Sequence, residues 1–294
     1  PTTMAANTTA VTVSYSEGGV TKTTTTPVTV TSISNTLASN SWATIRAVSD
    51  AGKGSNYWSV GDAKGITING KVGATTFSNL AISVFILGFN HNASREGSNR
   101  IHFQIGKING TLVGLVDGNY SNYTSTTGAF TMNTSNTNSG GWNNSHMRKT
   151  VLGSNSASAT SPAANTLLAA LPADLRAVMK PATKYSDNTG GGSDTASYVT
   201  STTDLLPLLS EFEYHGVRSY ANSAEKNYQA QYDYYRAGNS KVHYRHNATG
   251  TAALAWCRSV RSSYGTSFCR VYTDGGASIS GADYSWALAP CFFV

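Results

Sequence analysis

The order of elements in this 294-residue chain predicts an α+β fold. Alternating β-branched stretches lie at both ends, and helical periodicities lie early and in the middle. No strand–helix alternation and no internal repeat runs through the chain.

Residues 8–33 read as strands. "AVTVSYSEGG" alternates Val11, Val13 and Tyr15 and turns at Gly18-Gly19; "VTKTTTTPVTVTSI" continues the pattern. A hairpin this small is not a stable sheet alone. It resembles the closing strands of a bacterial immunoglobulin-like module, so residues 1–34 are expected to be a linker or the end of such a module. The opening "PTTMAANTTAVTV" reads as the middle of a longer polypeptide, with no visible signal peptide.

The period then changes. Trp42, Ile45 and Val48 recur at helical spacing, and Gly52 and Gly54 are expected to stop that helix. Gly61-Asp62 marks a turn before a strand through Ile66 and Ile68. "NLAISVFILGFNHN" reads as a buried strand, and "NRIHFQIG" as its partner through Ile101, Phe103 and Ile105. Residues 117–141, rich in Asn, Ser, Thr and Gly, read as a long surface loop. "GWNNSHMRKTVL" and "NTLLAALPADLRAVMKPA" read as helical, with Pro172 in a first turn and Pro181 as a stop. "SDNTGGGSDTAS" reads as a loop, and the apolar "TTDLLPLLSEFE" packs under the core. "SAEKNYQAQYDYYRAGN" is expected to be one helix, with Tyr228, Tyr232 and Tyr235 on a face and Gly238 as C-cap. The chain closes in short strands broken by "TDGG".

The composition narrows the function. Hydrophobic residues make up 39% and charged residues only 12%, about half the usual charged share. Polarity comes from Ser, Thr, Asn, 28 Gly and 16 Tyr, a mixture common in extracellular and virion proteins. The net charge of +6 is scattered, without a basic run, so a nucleic-acid partner is not expected. The longest apolar run, "LAISVFILGF", is strand-sized, so membrane insertion is not expected either. Three cysteines, Cys257, Cys269 and Cys291, fall in the last 38 residues. An odd count argues against a disulfide framework; one pair could bridge, or all could be buried thiols.

Candidate chemistry is sparse. His91 in "GFNHN" could sit at a strand end, but no HExxH and no paired metal spacing accompanies the six histidines. It reads as a structural histidine. Asp62, Asp204, Glu211 and Glu213 could supply carboxylates, and Glu211 and Glu213 would share a face if extended. A glycosidase needs two carboxyls at a set separation, and turn or ion-pair roles are the commoner use. There is no GxSxG and no P-loop. Cys257 and Cys269, beside Arg258 and Arg270, could be reactive only if exposed.

The terminal segment from Trp256 carries the stronger signal. Tyr264, Tyr272, Tyr284 and Trp286 lie among Ser, Gly, Asp and Arg. Recognition surfaces use this mixture, because Tyr and Trp bring contact area at low entropic cost and small polar residues adapt around them. Phe268, Val271, Phe292 and Val294 are the core candidates, which leaves the residues between them facing outward.

"NYWSVGD", "ILGFNHN", "GWNNSHMR", "LLAALPADLRAVMKPATKY", "TDLLPLLSEFE", "YDYYRAGNSKVHY" and "WCRSV…FCRVYTDGG…YSWALAPCFFV" together resemble an uncharacterised domain family of gut phages and Firmicutes. The closing pattern is similar to the variable proteins of diversity-generating retroelements. The resemblance covers residues 36–294 and implies a C-type-lectin-type fold, related to formylglycine-generating enzymes but non-catalytic. It implies a domain 35–294 with a variable segment at about 250–294, where adenine-directed mutagenesis exchanges outward residues. Carried over as ligand-binding positions are Arg261, Ser263, Tyr264, Arg270, Tyr272, Asp274, Ile279, Asp283, Tyr284 and Trp286. Trp256, Arg258, Ser259, Gly275, Pro290 and Phe292 are carried over as scaffold. The sequence departs from the family pattern at Cys257 and Val260, where Leu and Pro are expected, and at Trp286, where Gly is common.

The expected function is therefore a receptor-binding or adhesion module at a phage tail tip or fibre end, or on a bacterial surface. It would display exchangeable side chains to a host protein or glycan, contact other virion proteins, and work as a homo-oligomer, a trimer first. No catalysis, cofactor or metal is expected, and no carboxylate cluster of the usual calcium-loop type is present. The alternatives are a virion structural or decoration protein of a capsid or baseplate and, less favoured, an enzyme acting on surface glycans.

Overall fold

The computed structural model describes residues 7–30 and 32–294, with side chains from 12 to 25 and from 32 onward. Fourteen strands occur among these residues. β1 (Asn7–Glu17) and β2 (Val20–Val30) form the expected hairpin around Gly18-Gly19. Its described side chains are all exposed, including Val13, Tyr15 and Val20.

The rest is mixed α+β and mostly sheet. β3 (Ala63–Val72), β4 (Thr75–Phe89), β5 (Ile101–Ile108) and β6 (Thr111–Gly114) form an antiparallel meander. β7 (Ala182–Asp187) and β8 (Val199–Asp204) form a separate hairpin. β9 (His243–Arg245) joins β6 in parallel, and β10 (Ala248–Ala253) pairs with β9. β11 (Ala255–Val260), β12 (Ser267–Val271) and β13 (Ala277–Gly281) make a small antiparallel sheet. β14 (Cys291–Phe293) returns to the large sheet and pairs with β5.

Helices are few and short. The longest, Trp42–Asp50, buries Trp42, Ile45 and Val48 as their spacing requires, and Ser41 caps it by accepting from the Thr44 N–H. Gly52 ends it at φ +67°, whereas Gly54 begins a further helical turn, Gly54–Tyr57. A Cβ at Gly54 would stand 2.8 Å from the Phe89 ring, so close packing accounts for that glycine. The regions 141–152 and 167–176 give only four- and five-residue turns.

The segment 223–238 is not one helix. Ser223–Asn227 is 3-10, Asp233–Arg236 is a separate turn, and the residues between them are not helical. The Tyr232 N–H donates to the Glu213 carbonyl, and the Gln229 side chain bonds Tyr185 and Ser210. Tertiary partners thus take the backbone and side-chain groups that a helix would use.

Alternation along the strands serves two cores. Ile82, Val84, Ile86, Phe103, Ile105, Trp256, Val260, Phe268, Phe292 and Val294 enter one. Phe85, Leu87, Ala255, Cys257, Cys269, Val271, Cys291 and Phe293 enter the other. Residues between the first-core positions therefore meet a second apolar layer, not solvent. Val271 and Phe268, expected to share a core, project to opposite faces. The 117–141 loop also departs from its surface reading, since Phe130, Met132 and Asn138 in it are fully buried.

Candidate functional site

The scaffold residues of the terminal segment are fixed by burial. Trp256, Arg258, Ser259 and Phe292 have no exposed surface. Trp256 donates its indole N–H to the Phe130 carbonyl at 3.0 Å. Gly275 sits in the β12–β13 turn at φ +86°, a region open to glycine at no steric cost. Pro290 is buried before β14.

Arg258 reaches into a buried ionic cluster. Its guanidinium holds Glu213 through both terminal nitrogens, one contact at 2.9 Å. Lys184 Nζ lies 2.9 Å from Glu213 Oε1 and 2.5 Å from Glu96 Oε2, and meets the Tyr232 hydroxyl at 3.0 Å. His91 stacks on Tyr232 with centroids 3.8 Å apart. Burial pushes the Glu213 carboxyl up, but Arg258 and Lys184 outweigh it and hold the group below the usual carboxylate range. Burial raises Glu96, and it lowers His91 to about 3. His102, fully buried beside His91, is held well below its ordinary value by that burial.

His91, Glu96 and Glu213 place ligand atoms within 4.8 Å of one another, a donor set that suits a divalent cation. The fit is poor, because Lys184 and Arg258 already compensate both carboxylates. This arrangement is a packed ionic lock between the meander, β7 and β11.

The other carboxylates are also structural. Glu211 and Glu213 lie on one helical turn, Glu211–His215, not on an extended face. Glu211 accepts the N–H groups of Ser219, Tyr220 and Ala221. Asp204 pairs with Arg148 at 2.7 Å, and Asp62 closes a turn by accepting from the Ser59 N–H. Cys257, Cys269 and Cys291 are free, fully buried thiols whose ionisation burial pushes upward, so the adjacent arginines activate none of them.

The ten carried-over positions divide into two groups and an outlier. Arg261, Ser263 and Tyr264 occupy the β11–β12 turn, with the Arg261 guanidinium 3.7 Å over the Tyr264 ring. Buried Asn138 clamps this turn: its amide donates to the Tyr264 and Ser267 carbonyls at 2.7 and 2.9 Å and accepts from the Gly191 N–H. Tyr264 is 54% exposed.

At the other end of β12, Arg270 lies 4.7 Å over Trp286 and 5.9 Å from Tyr272. Tyr284 stacks parallel on Trp286 at 5.6 Å. Asp274 shapes the adjoining turn by accepting from the Gly276 N–H, and Asp283 is half-buried beside Tyr284. The five residues of β12 separate the two groups by roughly 13 Å, at ~3.3 Å per residue.

Two expectations need correction. Ile279 pairs with Cys269, so it projects to the face of the small sheet opposite Arg270, and the ten do not share one face. Trp286 does not face outward. It is 6% exposed, with its indole N–H donating to Ser280 Oγ at 2.8 Å, because the stack of Tyr120, Tyr284 and Arg270 covers it.

The second group also recruits residues that the sequence did not single out. Tyr120 meets Trp286 edge-on at 5.4 Å, and Tyr123, 72% exposed, meets Tyr284 at 5.9 Å. Arg245 lies 4.2 Å over Tyr120. The legible signal for the tyrosines was Tyr120 and Tyr123 set among the small polar residues of 117–127. A shallow groove of about 360 Å³ lies elsewhere, over Gly65–Thr67, Ala81–Ser83 and Lys107–Asn109, with no C-terminal residue in its lining.

Residues 121–294, more than half of the chain, match the model of a family described as a domain of unknown function, DUF6273. The chain belongs to that family. No curated protein and no solved structure matches it. The DUF6273 region contains both groups of carried-over positions and the Lys184–Glu213–Arg258 part of the ionic lock. Glu96, His91, His102 and all of β3–β6 lie before it, so the folded unit reaches beyond the matched residues.

Proposed function

We propose that this chain is a ligand-binding module of C-type-lectin-type architecture, serving attachment or adhesion at a phage tail tip or fibre end. Its ligand is a host surface protein or glycan, and no catalytic step is assigned to it. One observation carries the reading. The terminal segment separates into a frame with no exposed surface and a set of Tyr, Arg, Ser and Asp side chains at or near the surface of that frame. Trp256, Arg258 and Ser259 are locked by core and ion-pair contacts, whereas Tyr264 and Tyr272 are 54% and 44% exposed. A display surface needs this division, because exchange at the outer positions then leaves the fold unaffected. Several copies on one particle would add avidity wherever they engage together.

The test is sequencing of codons 250–294 across a natural population. Substitutions concentrated at Arg261, Ser263, Tyr264, Arg270, Tyr272 and Tyr284, with Trp256, Arg258 and Pro290 fixed, support the reading. An even spread, or an invariant segment, removes diversification and favours a structural virion role.

A further inference from the structure

We propose that Arg270 and Arg245, set on the two sides of the Tyr120–Trp286 contact, form the docking point for a carboxylated sugar of the uronic- or sialic-acid type. The inference rests on the binding reading above and names the ligand class for one of its two surface groups.

Neither guanidinium is neutralised. Arg270 is half-buried between Trp286 and Tyr272, and its one side-chain hydrogen bond runs from Nε to Ser278 Oγ at 3.4 Å. Arg245 Nε is buried without an acceptor while its guanidinium lies 4.2 Å over Tyr120. Among the described residues neither arginine has a carboxylate within ion-pair distance, unlike Arg148 and Arg258. Tyr120, edge-on against Trp286, links the ring under Arg245 to the ring under Arg270.

Asp117 and Asp274, two of the nearby acids, are turned to other work. Asp117 accepts from Ser285 Oγ, from the Phe130 N–H and from the Asn119 N–H. Asp274 accepts from the Gly276 N–H in its turn, and Asp283, whose Oδ1 is buried near Gly281 without a hydrogen-bond partner, forms no ion pair with either arginine.

Arginine matches a planar carboxylate through paired N–H donors, and a partly desolvated guanidinium binds it more strongly than an exposed one. The rim favours a sugar over an acidic peptide. Tyr272 is an exposed flat ring beside Arg270, Tyr123 is another against Tyr284, and Ser278 adds a small hydroxyl. A pyranose presents an apolar C–H face to such rings and hydroxyls to the rim.

The full chain is titrated against polygalacturonate, its methyl ester, a sialyllactose conjugate, the lactose conjugate and poly-glutamate, in physiological salt with a chelator present. Retention on polygalacturonate or on the sialylated conjugate, with at least about tenfold weaker retention on the matching uncharged ligand, is the expected result. Arg270→Gln and Tyr272→Ala should each weaken it about tenfold, while Tyr15→Ala, an exposed tyrosine outside both surface groups, leaves it unchanged. Equal binding of acid and ester overturns the role of the arginines, and equal binding of poly-glutamate overturns the sugar. If the chain binds bacterial cells but none of the acidic sugars, the inference fails and the binding reading stands. If it binds no cells either, both fail.

Discussion

At the scale of single residues, the ionic lock makes the strongest demands. Glu213 neutralises two buried cations, Lys184 and Arg258. Glu213→Gln leaves Arg258 without its carboxylate and Lys184 with Glu96 alone, and should cost about 3–5 kcal/mol, read from the urea midpoint at neutral pH. An unchanged midpoint would mean that the cluster is solvated. His91 tests the same region from the other side. Burial and Lys184 lower it to about 3, against an ordinary value of 6.5, so the folded protein keeps it neutral. The unfolded chain protonates it below about pH 6.5, and stability drains away as pH falls from there toward the folded value. His91→Phe keeps a ring against Tyr232 and removes the titration. Relative to wild type, this variant should gain about 2 kcal/mol between pH 7 and pH 5, the difference expected for one site. Comparing two variants of one chain cancels the opposing contribution of Glu225, which burial raises to about 7 and which loses stability as pH rises through that value.

At the scale of elements, the β11–β12 turn depends on a side chain far from it in sequence. Asn138 supplies donors to two of its carbonyls, and the Asn138 backbone N–H donates to Gly265. Asn138→Ala removes the donor to the part-buried Tyr264 carbonyl and the acceptor of the Gly191 N–H, and should cost about 1–3 kcal/mol. Limited proteolysis should then cut within 261–266 while β12 and β13 remain protected; a turn as resistant as wild type would sink the clamp. Such dependencies explain which elements the sequence disclosed. β3, β4 and β5 were readable because Ile66, Ile68, Phe103 and Ile105 alternate over long runs. The helix expected over 223–238 was not formed, since Gln229 and Tyr232 bond across to Tyr185 and to the Glu211–His215 turn. Period-two alternation also cannot say whether the second face meets water or another core. Cys269 and Phe293, placed outward by that pattern, are fully buried for this reason. Of the candidate site, Arg270, Tyr272 and Tyr284 were legible by residue type, whereas Tyr120 and Arg245 reach the group only through the fold.

At the scale of the whole molecule, the last strand decides what can fold alone. β14 lies in the C-terminal half but pairs with β5, and Val294 and Ile101 exchange backbone hydrogen bonds at 3.0 Å. Phe292 stacks on Phe103 at 5.2 Å, and Lys184 draws one of its two carboxylates from Glu96. The matched region 121–294 therefore lacks the partner strand for its own terminus and half the compensation for a buried lysine. Expressed by itself it should show no cooperative unfolding transition. Residues 1–31 are the converse case, because the described side chains of the β1–β2 hairpin are exposed and contribute nothing to either core. A chain starting at residue 32 keeps Ile33 against the core and the Trp58 indole bond to the Ser34 carbonyl. Its melting temperature should stay within about 2 °C of the full chain, since surface changes outside packed contacts are worth only about 0.5 kcal/mol. Calorimetry of the two truncations checks both statements. A folded 121–294 would show that β14 and Lys184 find other partners, and a destabilised 32–294 would show that the hairpin is part of the domain.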